Sequence, residues 1–146
     1  MKKLAVIGLD CVDPVLLAEL LPDLPTFAEL TKSGTFCRLK SVDPPITVPA
    51  WMCMMTGKDP GELGVYGFRN RADFSYRGVS IVSSTQFRHR PVWEDLGRRG
   101  LRSILLGIPG TYPPRPIRGL VVAGPPIPGT DCEYTYPASL GRRIAG

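Results

Sequence analysis

Apolar residues fall in short runs separated by proline, glycine and isolated charges. Leu4-Ala5-Val6-Ile7-Gly8-Leu9 is nearly unbroken and ends at Asp10, the pattern of a strand buried on both faces. Asp13-Pro14 offers an N-cap carboxylate followed by proline at the first helical position, which predicts a short helix over 15–21 stopped by Pro22. Thr26-Phe27-Ala28-Glu29 fits a capping box that opens a second helix, with Gly34 as its C-cap. Residues 35–42 read as a further strand.

Pro44-Pro45-Ile46-Thr47-Val48-Pro49 reads as an extended loop, because proline disfavours helix both at and before its own position. Pro49 suits the first turn of a helix running to Met55, ended by Gly57 and Pro60. Residues 58–78 are loop-like, 78–83 a strand, and 91–99 a helix with Gly100 as C-cap. Strands at 102–108 and 120–123 flank a proline-rich turn. Strands alternating with helices predict an α/β three-layer sandwich with a largely parallel sheet. At 137–145 a helix begins just before the sequence stops, so the expectation is a single domain, 1–146, incomplete at its C-terminus and leaving an uncovered sheet edge open to self-association.

Composition agrees with a folded chain. Its length is that of one domain, and 43% hydrophobic against 21% charged residues excludes disorder. The 16 glycines and 16 prolines fall between apolar runs, as turns do. A net charge of +5 suits either an anionic substrate or simple solubility. Lys and Arg form no block and do not interleave with aromatics on one element, so no nucleic-acid partner is expected. Cys11, Cys37, Cys53 and Cys132 are irregularly spaced, which argues against a zinc ribbon or redox pair and for free thiols in a reducing cytosol. With no leader-like segment and no run long enough to span a bilayer, a cytoplasmic chain is expected.

Two residues stand out chemically. Asp10 falls at the end of the first expected strand, the edge where open α/β sheets bind ligands. A carboxylate there can hold a cation, act as a nucleophile or cap a helix, and Asp13 already serves as the cap. Thr47 lies two residues before Pro49, near a helix mouth that attracts phosphate. Its hydroxyl could attack phosphorus if a base or cation activated it, or could merely cap the helix. The sequence has no G-x-G-x-x-G, Walker A loop or G-x-S-x-G elbow. With His89 as its lone histidine, an H-E-x-x-H site or a Ser-His-Asp triad is hard to build.

Five segments in order resemble one family. Val6-Ile7-Gly8-Leu9-Asp10, Pro44-Pro45-x-Thr47-x-Pro49-Ala50-Trp51 and Thr56-Gly57-x-x-Pro60-Gly61 come first. Val92-Trp93-Glu94 and Ile108-Pro109-Gly110-Thr111-Tyr112-Pro113-Pro114 follow. Together they resemble the type I phosphodiesterase and nucleotide pyrophosphatase branch of the alkaline-phosphatase superfamily. The resemblance implies a metal-dependent hydrolase of a phosphorylated small molecule, with Thr47 as nucleophile and metal ligand and Asp10 as a ligand of the same metal centre. It implies two divalent ions, zinc in most members, a phosphothreonine intermediate, and further Asp and His ligands beyond residue 146. By itself, such a chain is expected to be inactive.

The pattern departs at two places. Leu63 stands where many members have histidine in a Pro-x-x-His-Gly sequence. Phe68 stands where nucleotide pyrophosphatases place a phosphate-binding asparagine, which weakens the case for nucleotides. Asn70 is out of register and is left without a role. Two other readings compete: a non-catalytic remnant or binding module on half of the same fold, and a haloacid-dehalogenase-type phosphatase. The latter expects Asp-x-Asp, whereas Asp10 and Asp13 are three apart.

Overall fold

A computed structural model describes residues 3–71, 73, 75–129 and 131–144. The chain divides into two compact units, Met1–Lys40 and Ser41–Gly146. Among the described residues it combines helices with two small sheets and is therefore α/β, but these sheets are smaller and more mixed than a largely parallel sandwich.

In the first unit Asp13 caps α1 (Pro14–Leu20), accepting the N–H groups of Val15 at 2.7 Å and Leu16 at 3.0 Å. This is the predicted cap, with proline at the first position. Helix α2 (Pro25–Ser33) differs from expectation at its start. It begins at Pro25, with Leu24 as a cap residue that makes no side-chain bond. Proline is itself favoured in a first turn, so Thr26 is drawn inside the helix and no capping box forms. Gly34 ends α2 with an extended backbone, its N–H donating to the Leu30 carbonyl at 2.9 Å.

Neither expected strand of this unit forms: residues 4–9 and 35–42 carry no ladder. Leu4 is 88% exposed and Ile7 83%. An apolar run becomes a strand only when a neighbour supplies hydrogen bonds, and among the described residues none pairs with it.

The second unit contains α3 (Thr47–Thr56), α4 (Pro60–Leu63), β1 (Arg69–Arg71), β2 (Val79–Ile81), α5 (Val92–Arg98), β3 (Ser103–Ile108), β4 (Gly119–Ala123), β5 (Thr135–Tyr136) and α6 (Ala138–Ile144). Strands β1 and β2 form an antiparallel pair, where β1 and α4 lie in a stretch that reads as loop. The other sheet has the order β3-β4-β5, with β3–β4 parallel and β4–β5 antiparallel. β5 is too short to show a period of two. A bulge between Leu106 and Ile108 is formed at Gly107, whose φ of +67° suits a residue without a Cβ. Helix α6 forms as read over its described residues; Ala145 lies outside them.

Two apolar clusters hold this unit. Val48, Met52 and Cys53 of α3 pack with Leu63, Val65, Val82 and Phe87. Trp93 of α5 packs on Leu105 and Val121, joining α5 to the sheet. The first cluster is what fixes α3, and with it Thr47.

Candidate active site around helix α3

Helix α3 begins two residues earlier than Pro49 suggests. Ile46 is its extended cap residue, and the Ala50 N–H closes the first turn on the Ile46 carbonyl at 3.0 Å. Proline is tolerated throughout a first turn, because the N–H it lacks would have no intrahelical partner there. Pro49 therefore sits third in the helix, and Thr47 is its first residue rather than part of the preceding loop. Val48 is fully buried and Pro49 is buried beside it, so the turn bearing Thr47 is anchored from below.

Ile46 contributes no side-chain cap, and the first turn of α3 holds no acidic residue. At the other end Gly57, with φ +67°, gives its N–H to the Cys53 carbonyl at 2.8 Å. Asp59 then caps α4 through the Glu62 N–H at 2.8 Å, and Lys58 pairs with Glu62 at 2.8 Å. That ammonium lowers the Glu62 pKa, chiefly through the hydrogen bond, and the Lys58 pKa rises for the same reason.

The two sequence departures have structural counterparts. Leu63 is buried in the α3 cluster, a place suited to an aliphatic side chain and costly for a charged imidazole. Asn70 accepts the Tyr66 N–H at 3.2 Å through Oδ1, and its carbonyl accepts from Ser80 Oγ at 3.5 Å. It fastens a turn. Phe68 is 42% exposed.

Asp10 belongs to the first unit and Thr47 to the second. Asp10 is exposed and precedes Cys11, which has a left-handed backbone with φ of 61°. Among the described residues no three or more His, Cys, Asp and Glu side chains come together as a metal-binding group. Zinc takes about four donors, so the described residues do not by themselves complete a zinc site.

A partly open pocket of about 20 Å³ lies between Met52, Phe87, Trp93, Leu105, Thr111 and Val121. That is room for about one water. The Arg115–Glu94 pair, 3.5 Å apart, also borders it.

A model of the family described as type I phosphodiesterase / nucleotide pyrophosphatase matches residues 4–144. The chain belongs to this family. Membership covers nearly all of the sequence and agrees with the five segments identified above. It points to hydrolysis of phosphodiester or pyrophosphate bonds in phosphorylated small molecules. No curated protein and no solved structure matches the chain. Among the described residues of this phosphodiesterase family member, no helix is long and apolar enough to cross a membrane.

Proposed function

We propose that the chain is the nucleophile-bearing part of a metal-dependent phosphoester hydrolase built on an alkaline-phosphatase-like sandwich, with Thr47 as the attacking residue. The observation that carries this reading is the position of Thr47 at the first residue of α3. The helix is ten residues long, its cap residue Ile46 makes no side-chain bond, and its first turn contains no acidic residue. Helix N-termini favour phosphate through their N–H groups and dipole, so a phosphoryl group bound there lies beside the Thr47 hydroxyl.

In this reading the Thr47 hydroxyl loses its proton and its oxygen bonds to phosphorus. The bond from phosphorus to the leaving alcohol breaks, and that oxygen departs with the electron pair and takes up a proton. Water then cleaves the phosphothreonine ester and restores the hydroxyl. The buried Val48-Pro49 step holds the nucleophile in place, and such positioning is a large part of phosphoryl-transfer catalysis.

Two divalent ions, zinc by the resemblance, belong to the same reading, with Asp10 and Thr47 among their ligands. Those two residues fall short of a full donor set, and the remaining donors come from outside the described residues. This chain by itself is accordingly expected to hold metal weakly and to be inactive.

The test, made in a full-length protein that includes the remaining metal donors, is hydrolysis of a chromogenic phosphodiester with and without Thr47→Ala, with acid-quenched samples examined by mass spectrometry. Turnover should be lost in the variant, and a phosphoryl adduct should map to the peptide carrying Thr47. Full activity in Thr47→Ala would remove this residue from the reaction.

A further inference from the structure

The β1–β2 hairpin is turned the opposite way from an ordinary half-buried hairpin. Its polar side faces the body of the second unit: Asn70 and Ser80 are paired across the strands and half-buried, and Gln86 Nε2 donates to Ser80 Oγ at 3.3 Å. The other side carries Arg69 opposite Ile81 and Arg71 opposite Val79, all exposed. Ile81 is 63% and Val79 55% exposed. Side chains opposite one another on one sheet face are neighbours, so two aliphatic groups and two guanidinium groups form one outward patch. Arg71 lies 4.2 Å over the ring of Tyr76, which is itself 86% exposed.

The patch is also electrically one-sided. Among the described residues no ion pair engages Arg69, Arg71 or Arg77. Asp73 is the acid within 69–81, and its carboxylate accepts the Ser75 N–H at 2.7 Å. Free phosphate would use the arginines and leave Val79 and Ile81 in water. A single-stranded nucleic acid would want open aromatic rings on the sheet face, whereas Arg69, Arg71, Val79 and Ile81 supply none and the Tyr76 ring is covered by Arg71. An interface that offers anionic headgroups beside acyl chains matches all of these side chains at once, with the tyrosine at headgroup level.

We propose that this face of the hairpin docks on the surface of an anionic lipid bilayer, holding the protein at the membrane without crossing it. The inference rests on the hairpin alone and is independent of Thr47.

The test is co-sedimentation of the full chain with phosphatidylcholine vesicles, with and without phosphatidylserine. Binding should require phosphatidylserine and weaken with salt. Each basic residue near such a surface is worth about fivefold in partitioning, so Arg69→Gln with Arg71→Gln should weaken binding about 25-fold. Val79→Ser with Ile81→Ser should also weaken it, although the charge is unchanged. All four positions are exposed, and circular dichroism verifies each variant's fold. Thr47→Ala should bind as the parent does, so loss of the hydrolase reading leaves this result standing. Equal sedimentation with both vesicle types, or none with either, would overturn the proposal. So would unchanged binding in the Val79/Ile81 variant, or tighter binding to a single-stranded oligonucleotide than to the vesicles.

Discussion

The Gly124 N–H donates to Thr111 Oγ1 at 2.9 Å, in a buried bond that ties the segment after β3 to the end of β4. The same hydroxyl donates to the Ile108 carbonyl at 2.6 Å. One side chain thus satisfies both a buried donor and a partly buried acceptor. Thr111→Val keeps the shape and removes both bonds, leaving the Gly124 N–H unpaired. The expected loss is about 1–3 kcal/mol, read from the midpoint and slope of urea unfolding. Thr111→Ser should recover most of it.

Cys53 should behave differently from the exposed thiols of Cys11 and Cys37. Burial, and secondarily the charge of Asp59, pushes its pKa up from the ordinary 9.0. The folded chain therefore holds this proton more tightly than the unfolded chain. The resulting stability is complete below about pH 9 and is lost as pH rises through the folded value. Thiol titration at pH 8 should label Cys11 and Cys37 quickly and Cys53 only after denaturant is added. Equal rates for all three would contradict the packing of α3.

On the proposed function, Asp10→Asn in a full-length protein with the remaining metal donors would remove a negative donor from the proposed metal centre. Bound zinc, measured by elemental analysis after dialysis against a weak chelator, should fall together with phosphodiester turnover. A fall in rate at constant metal content would assign Asp10 another task.

β3 is an edge strand among the described residues, with Ile104 67% and Leu106 70% exposed and no charge between Ser103 and Ile108. Uncharged apolar edges pair readily with other strands. We therefore expect sedimentation velocity to show association that grows with protein concentration. Ile104→Lys should suppress it, because a charge at an edge opposes further pairing.

Local chemistry was the legible part of this fold. The Asp13 cap, the Gly57 stop and the apolar runs of β3 and β4 are all decided by neighbouring residues, and all can be read directly. The run at 4–9 has equally clear composition, yet its outcome depends on a partner strand that no local pattern reveals. Pro49 marked a helix start but not its first residue, since proline fits several places in a first turn. That two-residue difference matters for the site, because it moves Thr47 from a loop onto the helix. Family membership was legible from short ordered segments. The hairpin was not, because Arg69-Asn70-Arg71 alternates with its polar side chain inward, against the usual rule for strands.

The division of the chain at Lys40 has a practical side. Both tryptophans, Trp51 and Trp93, and all five tyrosines lie in the second unit. The first forty residues therefore carry no tryptophan or tyrosine of their own, and a melting curve followed by emission reports chiefly on the second unit, including the Trp93 cluster. Far-ultraviolet ellipticity sees both units, and any disagreement between the two signals would measure how far the segment bearing Asp10 unfolds on its own.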